Sequence, residues 1–287
     1  MAEEALRRPR RYHLWRLAVQ AAAFSLLVAV PILNGRYHIS FIQGWYQSMS
    51  IGGLWFVSPL EGLESLLTSR SIYIPLLVGM IPTVAVALVL GRVFCGWICP
   101  IHFLSDLSDR LLGLLFRRRR DLILLPRWTI WAALVGELVL AMVMGSPLFV
   151  FLSPPGLVGR ELMVMILFHT VVVEGVVVLV VLAMNLLTRR LFCRYLCPLG
   201  GLLALLGARR RLVVSLSRGR CSGCGACKRA CPLGLDAAAG EAGGLQCWNC
   251  GECVARCRFG ALGFRWRSPR PLELPPLEQA GEGPRES

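Results

Sequence analysis

Residues 221–232 read CSGCGACKRACP, and residues 247–258 read CWNCGECVARCR. Each stretch is C-x2-C-x2-C-x3-C, and the fifteen residues 232–246 separate the two runs. This is the spacing of the bacterial ferredoxins, in which three thiolates of a tight loop hold one cluster and the fourth cysteine reaches the other. Cys221, Cys224, Cys227 and Cys257 are therefore assigned to one [4Fe–4S] cluster, and Cys247, Cys250, Cys253 and Cys231 to a second. Gly223, Gly225 and Gly251 suit loops that wrap closely around an inorganic body. Pro232 follows Cys231 as in the usual signature, whereas Arg258 stands where a second proline is expected. Zinc also takes paired C-x2-C units, but two complete four-cysteine runs of identical spacing exceed what a zinc site needs. A disulfide framework belongs to small secreted domains, and these cysteines follow a long apolar region. The expected chemistry is single-electron transfer.

That apolar region sets the class of the remaining chain. Of 287 residues, 55% are hydrophobic, and the formal charge of +14 is carried almost wholly by arginine. A basic balance invites a nucleic-acid reading. The apolar runs point instead to a membrane protein with basic cytoplasmic loops, and no nucleic-acid partner is expected. Four stretches are long enough to span a bilayer, about 20 residues each: Leu14–Leu33, Ile72–Leu90, Trp128–Phe151 and Leu162–Leu187. Leu14–Leu33 lacks a small-residue cleavage site before Asn34 and reads as a helix, not a signal peptide. Between the spans lie a first loop, 34–71, a middle loop, Ile101–Arg127, and a short Pro/Gly turn, 152–161. Within the first loop, Ser58–Thr68 reads as a short helix opened by Ser58-Pro59, either interfacial or the rim of a lipid-side quinol pocket.

The arginines orient the chain. Five lie between the amino terminus and Arg16, and seven in the middle region including Arg92, against two and one on the opposite side. Both termini and the middle loop are thus placed in the cytosol, in a multi-pass protein of a bacterial or archaeal cytoplasmic membrane. The expected fold is an all-α bundle of four transmembrane helices, built as two tandem two-helix repeats and followed by a small α+β ferredoxin-like bicluster domain. The divisions are 1–13 (basic terminus), 14–212 (membrane domain), 213–267 (ferredoxin domain) and 268–287 (a Pro/Glu/Gly-rich disordered tail).

The repeat shows at the membrane edge. Residues 92–104 read RVFCGWICPIHFL and residues 190–202 read RLFCRYLCPLGGL, with the cysteines offset by 98. Each copy follows an even-numbered span, so Cys95, Cys99, Cys193 and Cys197 are expected to approach one another. Four such thiols could hold a metal or a further cluster, or form redox-active dithiols. Three ionisable residues fall within predicted spans: Glu137, His169 and Glu174. Such groups face an interior or a cavity and serve either as interhelical hydrogen-bond glue or as acceptors of the protons that quinol oxidation releases. His102, just after the first CxxxCP, is a cytoplasmic-side ligand or an interfacial polar residue. Arg220, Lys228, Arg229, Arg256 and Arg258 surround the ferredoxin cysteines against Glu252 alone. Positive charge there favours the reduced cluster and raises its potential.

Four spans, two CxxxCP motifs and a carboxy-terminal double-cluster segment resemble the NapH/MauN family over roughly residues 10–265. These are ferredoxin-type membrane subunits of periplasmic nitrate reductase and methylamine utilisation systems. The resemblance implies a quinol dehydrogenase component that takes electrons from membrane quinol to a partner iron–sulfur protein and on to a periplasmic reductase such as nitrate reductase. It maps the family's cysteines onto all twelve here. The alternative is an assembly, metal-handling or sensing factor for maturation of a respiratory metalloenzyme. No glycine-rich nucleotide fingerprint is present, so flavin or nicotinamide chemistry is not expected.

Overall fold

The computed structural model describes residues 9–37, 42–45, 48–51, 54–69, 71, 73–115, 125–147, 153–170 and 172–267. Arg7, Arg8, the arginine run 117–120 and the 268–287 tail lie outside the described residues.

Helix α1, Pro9–Tyr37, is continuous through Pro31. Its segment Tyr12–Gly35 is, among the described residues, the one helix long and apolar enough to cross a membrane unaided. An antiparallel sheet follows: β1 (Ile42–Trp45), β2 (Ser48–Ile51) and β3 (Leu54–Val57), paired in chain order. This sheet corrects the reading of residues 34–71 as a loop around one helix. Its signal was Gly52-Gly53, a two-residue hairpin dipeptide between Ile51 and its partner Leu54.

Helix α2, Pro59–Ser69, starts at the predicted Ser-Pro pair and buries Leu60, Gly62 and Glu64 against its neighbours. It runs back along α3, Ile74–Leu90. A Cβ on Gly62 would meet the Met80 sulfur, and Thr83 Oγ1 donates to the Val57 carbonyl at 3.0 Å. Gly91, at φ 74°, ends α3. The chain then turns by 88° into the short α4, Val93–Trp97, and α5, Pro100–Leu115. Half of the predicted middle loop is therefore helix. Pro100 occupies the first helical position, where its missing N–H costs nothing, and Ile101, His102 and Ser105 face inward.

Helix α6, Thr129–Met144, falls within the third predicted span. The fourth is corrected. Residues 154–168 form α7 (Pro154–Phe168), His169 is left-handed at φ 53°, and α8 (Val173–Leu187) begins anew. The Pro/Gly turn expected at 152–161 is the start of α7, opened by Ser153-Pro154 as α2 is by Ser58-Pro59. The break is held by the Glu161 carboxylate, which accepts from the Val172 and Gly175 N–H groups at 3.2 and 3.1 Å and so caps α8. Leu157, Val158, Val178 and Val181 share one core with Leu27, Cys99 and Ile101, so α7 and α8 pack side by side.

The repeat is thus larger than two helices. Each half has a long helix (α1 or α6), a half-helix opened by Ser-Pro (α2 or α7), a helix returning along it (α3 or α8) and a CxxxCP turn. In the sequence the half-helix entries read FVSP at 56–59 and FLSP at 151–154. In the second copy a π-turn, Phe192–Leu196, replaces α4, and α9 (Pro198–Leu206) replaces α5.

The carboxy-terminal unit closes on itself through two strands, β4 (Leu212–Leu216) and β5 (Leu262–Trp266), paired antiparallel from Leu212↔Trp266 to Leu216↔Leu262. Two five-residue helices, α10 (Ala226–Ala230) and α11 (Glu252–Arg256), lie between them.

Candidate functional site

The two cysteine runs fold alike. In the first, Gly223 and Gly225 adopt positive φ, at 69° and 64°. In the second, Asn249 and Gly251 take the same places at 53° and 79°. Each doubly left-handed loop carries two cysteines and opens a short helix carrying the third, Cys227 or Cys253. The fourth, Cys231 or Cys257, ends that helix. The structure groups the eight side chains four and four. Cys221, Cys224, Cys227 and Cys257 line one cavity. Cys231, Cys247, Cys250 and Cys253 line another.

Among the described residues, no three His, Cys, Asp or Glu side chains converge on a single-ion position. Thiolates on zinc all sit about 2.3 Å from one point; here they stand around a volume, as ligands of a larger iron–sulfur body do. An all-thiol donor set of four cysteines to each cavity is the set that [4Fe–4S] clusters use. Backbone N–H groups point at the sulfurs: Asn249 N to Cys247 Sγ at 3.4 Å and Ala261 N to Cys257 Sγ at 3.3 Å. Such bonds stabilise negative charge on a cluster. Burial pushes the Cys253 thiol up to about 12, so without a cation its sulfur stays protonated. Only Cys224 is exposed, and the Ala226 N–H and the Ser222 hydroxyl hold its thiol below the usual range.

The CxxxCP cysteines meet next to the second of these cavities. Cys99 lies close enough to Cys193, Cys95 and Cys197 for their charges to add to the burial that pushes its thiol well up. Burial likewise raises Cys193 to about 11. The proline of each motif, Pro100 or Pro198, starts the next helix. Cys197 becomes the N-cap of α9, and its Sγ accepts from Gly200 N at 3.4 Å. Cys99 precedes α5, whose His102 and Phe103 N–H groups bond the Cys99 carbonyl. Two helix N-termini, the positive ends of their dipoles, thereby face the thiols.

This quartet abuts the ferredoxin unit. A Cβ on Gly96 would lie 3.2 Å from Cys250 Cβ and 3.3 Å from Trp248 Cβ. Cys95, Cys193, Cys231 and Cys250 pack on one core around the buried Trp248. Arg92 donates to the Gln246 carbonyl, lies over the Trp248 ring and reaches the Cys193 carbonyl. Trp97 Nε1 donates to the Asn249 carbonyl. The Asn249 amide donates to the carbonyls of Leu90 and Leu212 at 3.0 and 2.8 Å. Asn249 thus serves both as a left-handed loop residue and as a bolt between the two parts. Sequence reasoning missed it, although its alignment with Gly223 was a signal.

A buried ion cluster completes the junction. Arg16 of α1 pairs with Asp106 and with Glu252 of α11, each at 2.9 Å. Arg190 pairs with Asp106 and, at 2.9 Å, with Asp109. Arg16 had counted only as a topology charge and Arg190 only as part of the repeat, yet they are 4% and 2% exposed. His102 belongs to the same cluster. It is buried, edge-on to Trp248 at 4.9 Å, and its Nε2 accepts from Arg16 at 2.7 Å. Because arginine only donates, the ring proton is on Nδ1.

Burial lowers the His102 pKa to about 3; Asp106 opposes this, and Arg190 and Arg16 add to it. Burial acts to raise Asp106, but His102, Arg190 and Arg16 outweigh it and hold that carboxyl below its usual value. The unfolded chain therefore binds the extra proton on His102 between pH 6.5 and about 3. The stability held through neutral His102 is complete above pH 6.5 and is expected to fall on acidification by up to about 1.4 kcal/mol per pH unit. Thermal unfolding followed between pH 7.5 and 5.5 reads that slope, and His102→Asn should flatten it.

The three predicted membrane ionisables do not join this site. His169 and Glu174 sit at the α7–α8 break instead of inside a continuous span. His169 is exposed, and Glu174 is paired with Arg160 at 2.8 Å. The length of α8, about 20 Å of helix, separates them from Cys193. Glu137 lies half-buried on α6 with Oε1 unbonded.

A helical unit docked on a two-run cysteine domain defines an iron–sulfur electron-transfer protein of ferredoxin type. Comparison with known proteins agrees. A 4Fe-4S binding domain family matches twice, at residues 74–122 and 168–220, and a 4Fe-4S dicluster domain family matches at 213–258. The methylamine utilization ferredoxin-type protein MauN of Methylorubrum extorquens is 30% identical over 240 residues, covering 80% of this chain and 78% of that protein. MauN of Methylobacillus flagellatus is 35% identical over 194 residues, 64% of either chain. The ferredoxin-type protein NapH of Escherichia coli is 28% identical, covering 90% of this chain and 92% of its own. The chain belongs to the NapH/MauN family of ferredoxin-type proteins. No solved structure matches it.

Proposed function

We propose that the chain is a multi-pass membrane conduit that takes electrons from membrane quinol and hands them to a partner iron–sulfur protein serving a terminal reductase such as nitrate reductase. In this reading α1, α3, α6 and α8 are the four spans, α2 and α7 dip between them, and the arginine-rich face carrying the ferredoxin unit lies in the cytosol. Cys221, Cys224, Cys227 and Cys257 hold one [4Fe–4S] cluster, and Cys231, Cys247, Cys250 and Cys253 hold the other. Cys95, Cys99, Cys193 and Cys197 hold a further metal or cluster; the 4Fe-4S family match over both CxxxCP repeats supports this. Bound clusters supply single-electron carriers.

The observation that carries the reading is the continuity of the cysteines. The CxxxCP quartet touches the Cys250 loop, Cys231 and Cys257 cross between the two ferredoxin cavities, and the row ends at Cys224, the one exposed cysteine. No acidic residue lies in 217–230 or 253–265, while Arg218, Arg220, Lys228, Arg229, Arg256 and Arg258 are exposed there. An acidic partner fits that end. The test is anaerobic: a menaquinol analogue is added to the detergent-purified protein and followed by electron paramagnetic resonance. Reduced-cluster signals are expected. Clusters that answer dithionite but never quinol would refute direct quinol oxidation by this chain.

A further inference from the structure

A cavity of about 260 Å³ lies on the membrane side of the first CxxxCP turn. Its walls are almost wholly apolar, and they join both halves of the repeat. Phe94 and Ile98 form the side next to Cys95 and Cys99, Ser58 and Pro59 bring the start of α2, and Pro155 brings the start of α7. Val86, half-exposed on α3, and Ile98 mark the side open to lipid. Two half-helix N-termini therefore meet at one apolar space. In a membrane interior such ends favour a negatively charged or polar ligand atom.

An independent feature points to an absent partner. Ser58 is 6% exposed and lines this cavity, yet its hydroxyl has no hydrogen-bond partner. An unsatisfied buried hydroxyl costs about 1–3 kcal/mol, and one that opens onto a cavity is completed by a ligand bound there. One turn further, on the same face of α2, Glu61 has a buried Oε2 without a partner. Thr83, also on the wall, is already bonded to the Val57 and Met80 carbonyls, so Ser58 is the hydroxyl left for a ligand.

We propose that this cavity is the quinol headgroup site, with Ser58 bonding a headgroup oxygen and Glu61 receiving its proton. The proposal rests on the quinol reading above and gives it a location. In the reaction the two quinol O–H bonds break and two C=O bonds form. Two electrons leave one at a time past Phe94 toward the cysteine quartet. The protons go in succession to the Glu61 carboxylate and onward through Glu64 in the next turn of α2. The positive ends of α2 and α7 stabilise the headgroup oxygen while it carries negative charge.

Ser153 provides an internal control. It opens α7 as Ser58 opens α2, is fully buried, and likewise has an unbonded hydroxyl, but it does not line the cavity. The test uses the intact purified protein and an azidoquinone photolabel competed by unlabelled quinone, with thermal unfolding in parallel. Ser58→Ala is expected to weaken labelling about tenfold, the effect of one hydrogen bond, while leaving the melting temperature unchanged or raised. Ser153→Ala should leave labelling unchanged. Val86→Trp, which fills the space, should abolish competable labelling of peptides 55–60 and 82–98. Competable label elsewhere, equal in wild type and Val86→Trp, overturns the site. Label in the cavity of a protein whose clusters quinol never reduces keeps the site and overturns the electron-transfer reading instead.

Discussion

Cys231→Ser is expected to remove the cluster held by the second cysteine run, although Cys231 belongs to the first. The cavity that Cys231 lines is shared with Cys247, Cys250 and Cys253, so the surviving magnetic signal should be that of the cluster held by Cys221, Cys224, Cys227 and Cys257. That survivor lies on the far side of the gap from the CxxxCP quartet. It should still accept electrons from dithionite but no longer from quinol. Cys257→Ser should do the reverse: the outer cluster is lost, and the inner one remains reducible by quinol. Paired electron paramagnetic resonance spectra of the two variants decide the matter. If Cys231→Ser left quinol-driven reduction intact, neither the exchange of fourth ligands nor the order of the row would hold.

The second large effect concerns the junction. Asp106→Ala leaves Arg16 and Arg190 buried against each other with their shared carboxylate gone. Breaking a buried pair by removing one partner costs about 3–5 kcal/mol, mostly as uncompensated buried charge. Arg16 keeps Glu252 and Arg190 keeps Asp109, so the loss should fall toward the lower end of that range. Arg16, no longer held to α5 by Asp106, fixes Glu252 less firmly, so the ferredoxin unit should loosen from the helices. Limited proteolysis between residues 207 and 212, together with a lower melting temperature, reads the effect. Adding Arg190→Leu to Asp106→Ala should recover part of it, since an apolar side chain needs no counter-charge. No recovery would mean that Asp106 acts through packing and not through charge.

Much of the chemistry was legible in the sequence because it is written locally. A C-x2-C-x2-C-x3-C run specifies a cluster loop whatever surrounds it, and the twofold CxxxCP motif predicted the meeting of four distant thiols. The Ser-Pro start of α2 was equally readable, and that of α7 was present but masked by the glycine and second proline beside it. Long apolar stretches misled where hydropathy conceals a break. Residues 162–187 are predominantly apolar, yet Glu161 supplies the cap that lets α8 start afresh after His169. The same break sets His169 and Glu174 between two helices instead of inside one continuous span.

By itself the sequence determined the grouping of the twelve cysteines into two ferredoxin-type runs and two CxxxCP motifs, the mainly helical class of the first two hundred residues, and the family. Those properties depend on spacing along the chain, which folding cannot alter. Only the tertiary structure decided that Arg16, His102, Asp106 and Arg190 form one buried cluster, that Asn249 bolts the ferredoxin loop to α3, and that two half-helices end at one cavity. Each of these joins residues tens to hundreds of positions apart. Such contacts follow from the packing of whole elements, to which no local pattern of apolar and charged residues gives access.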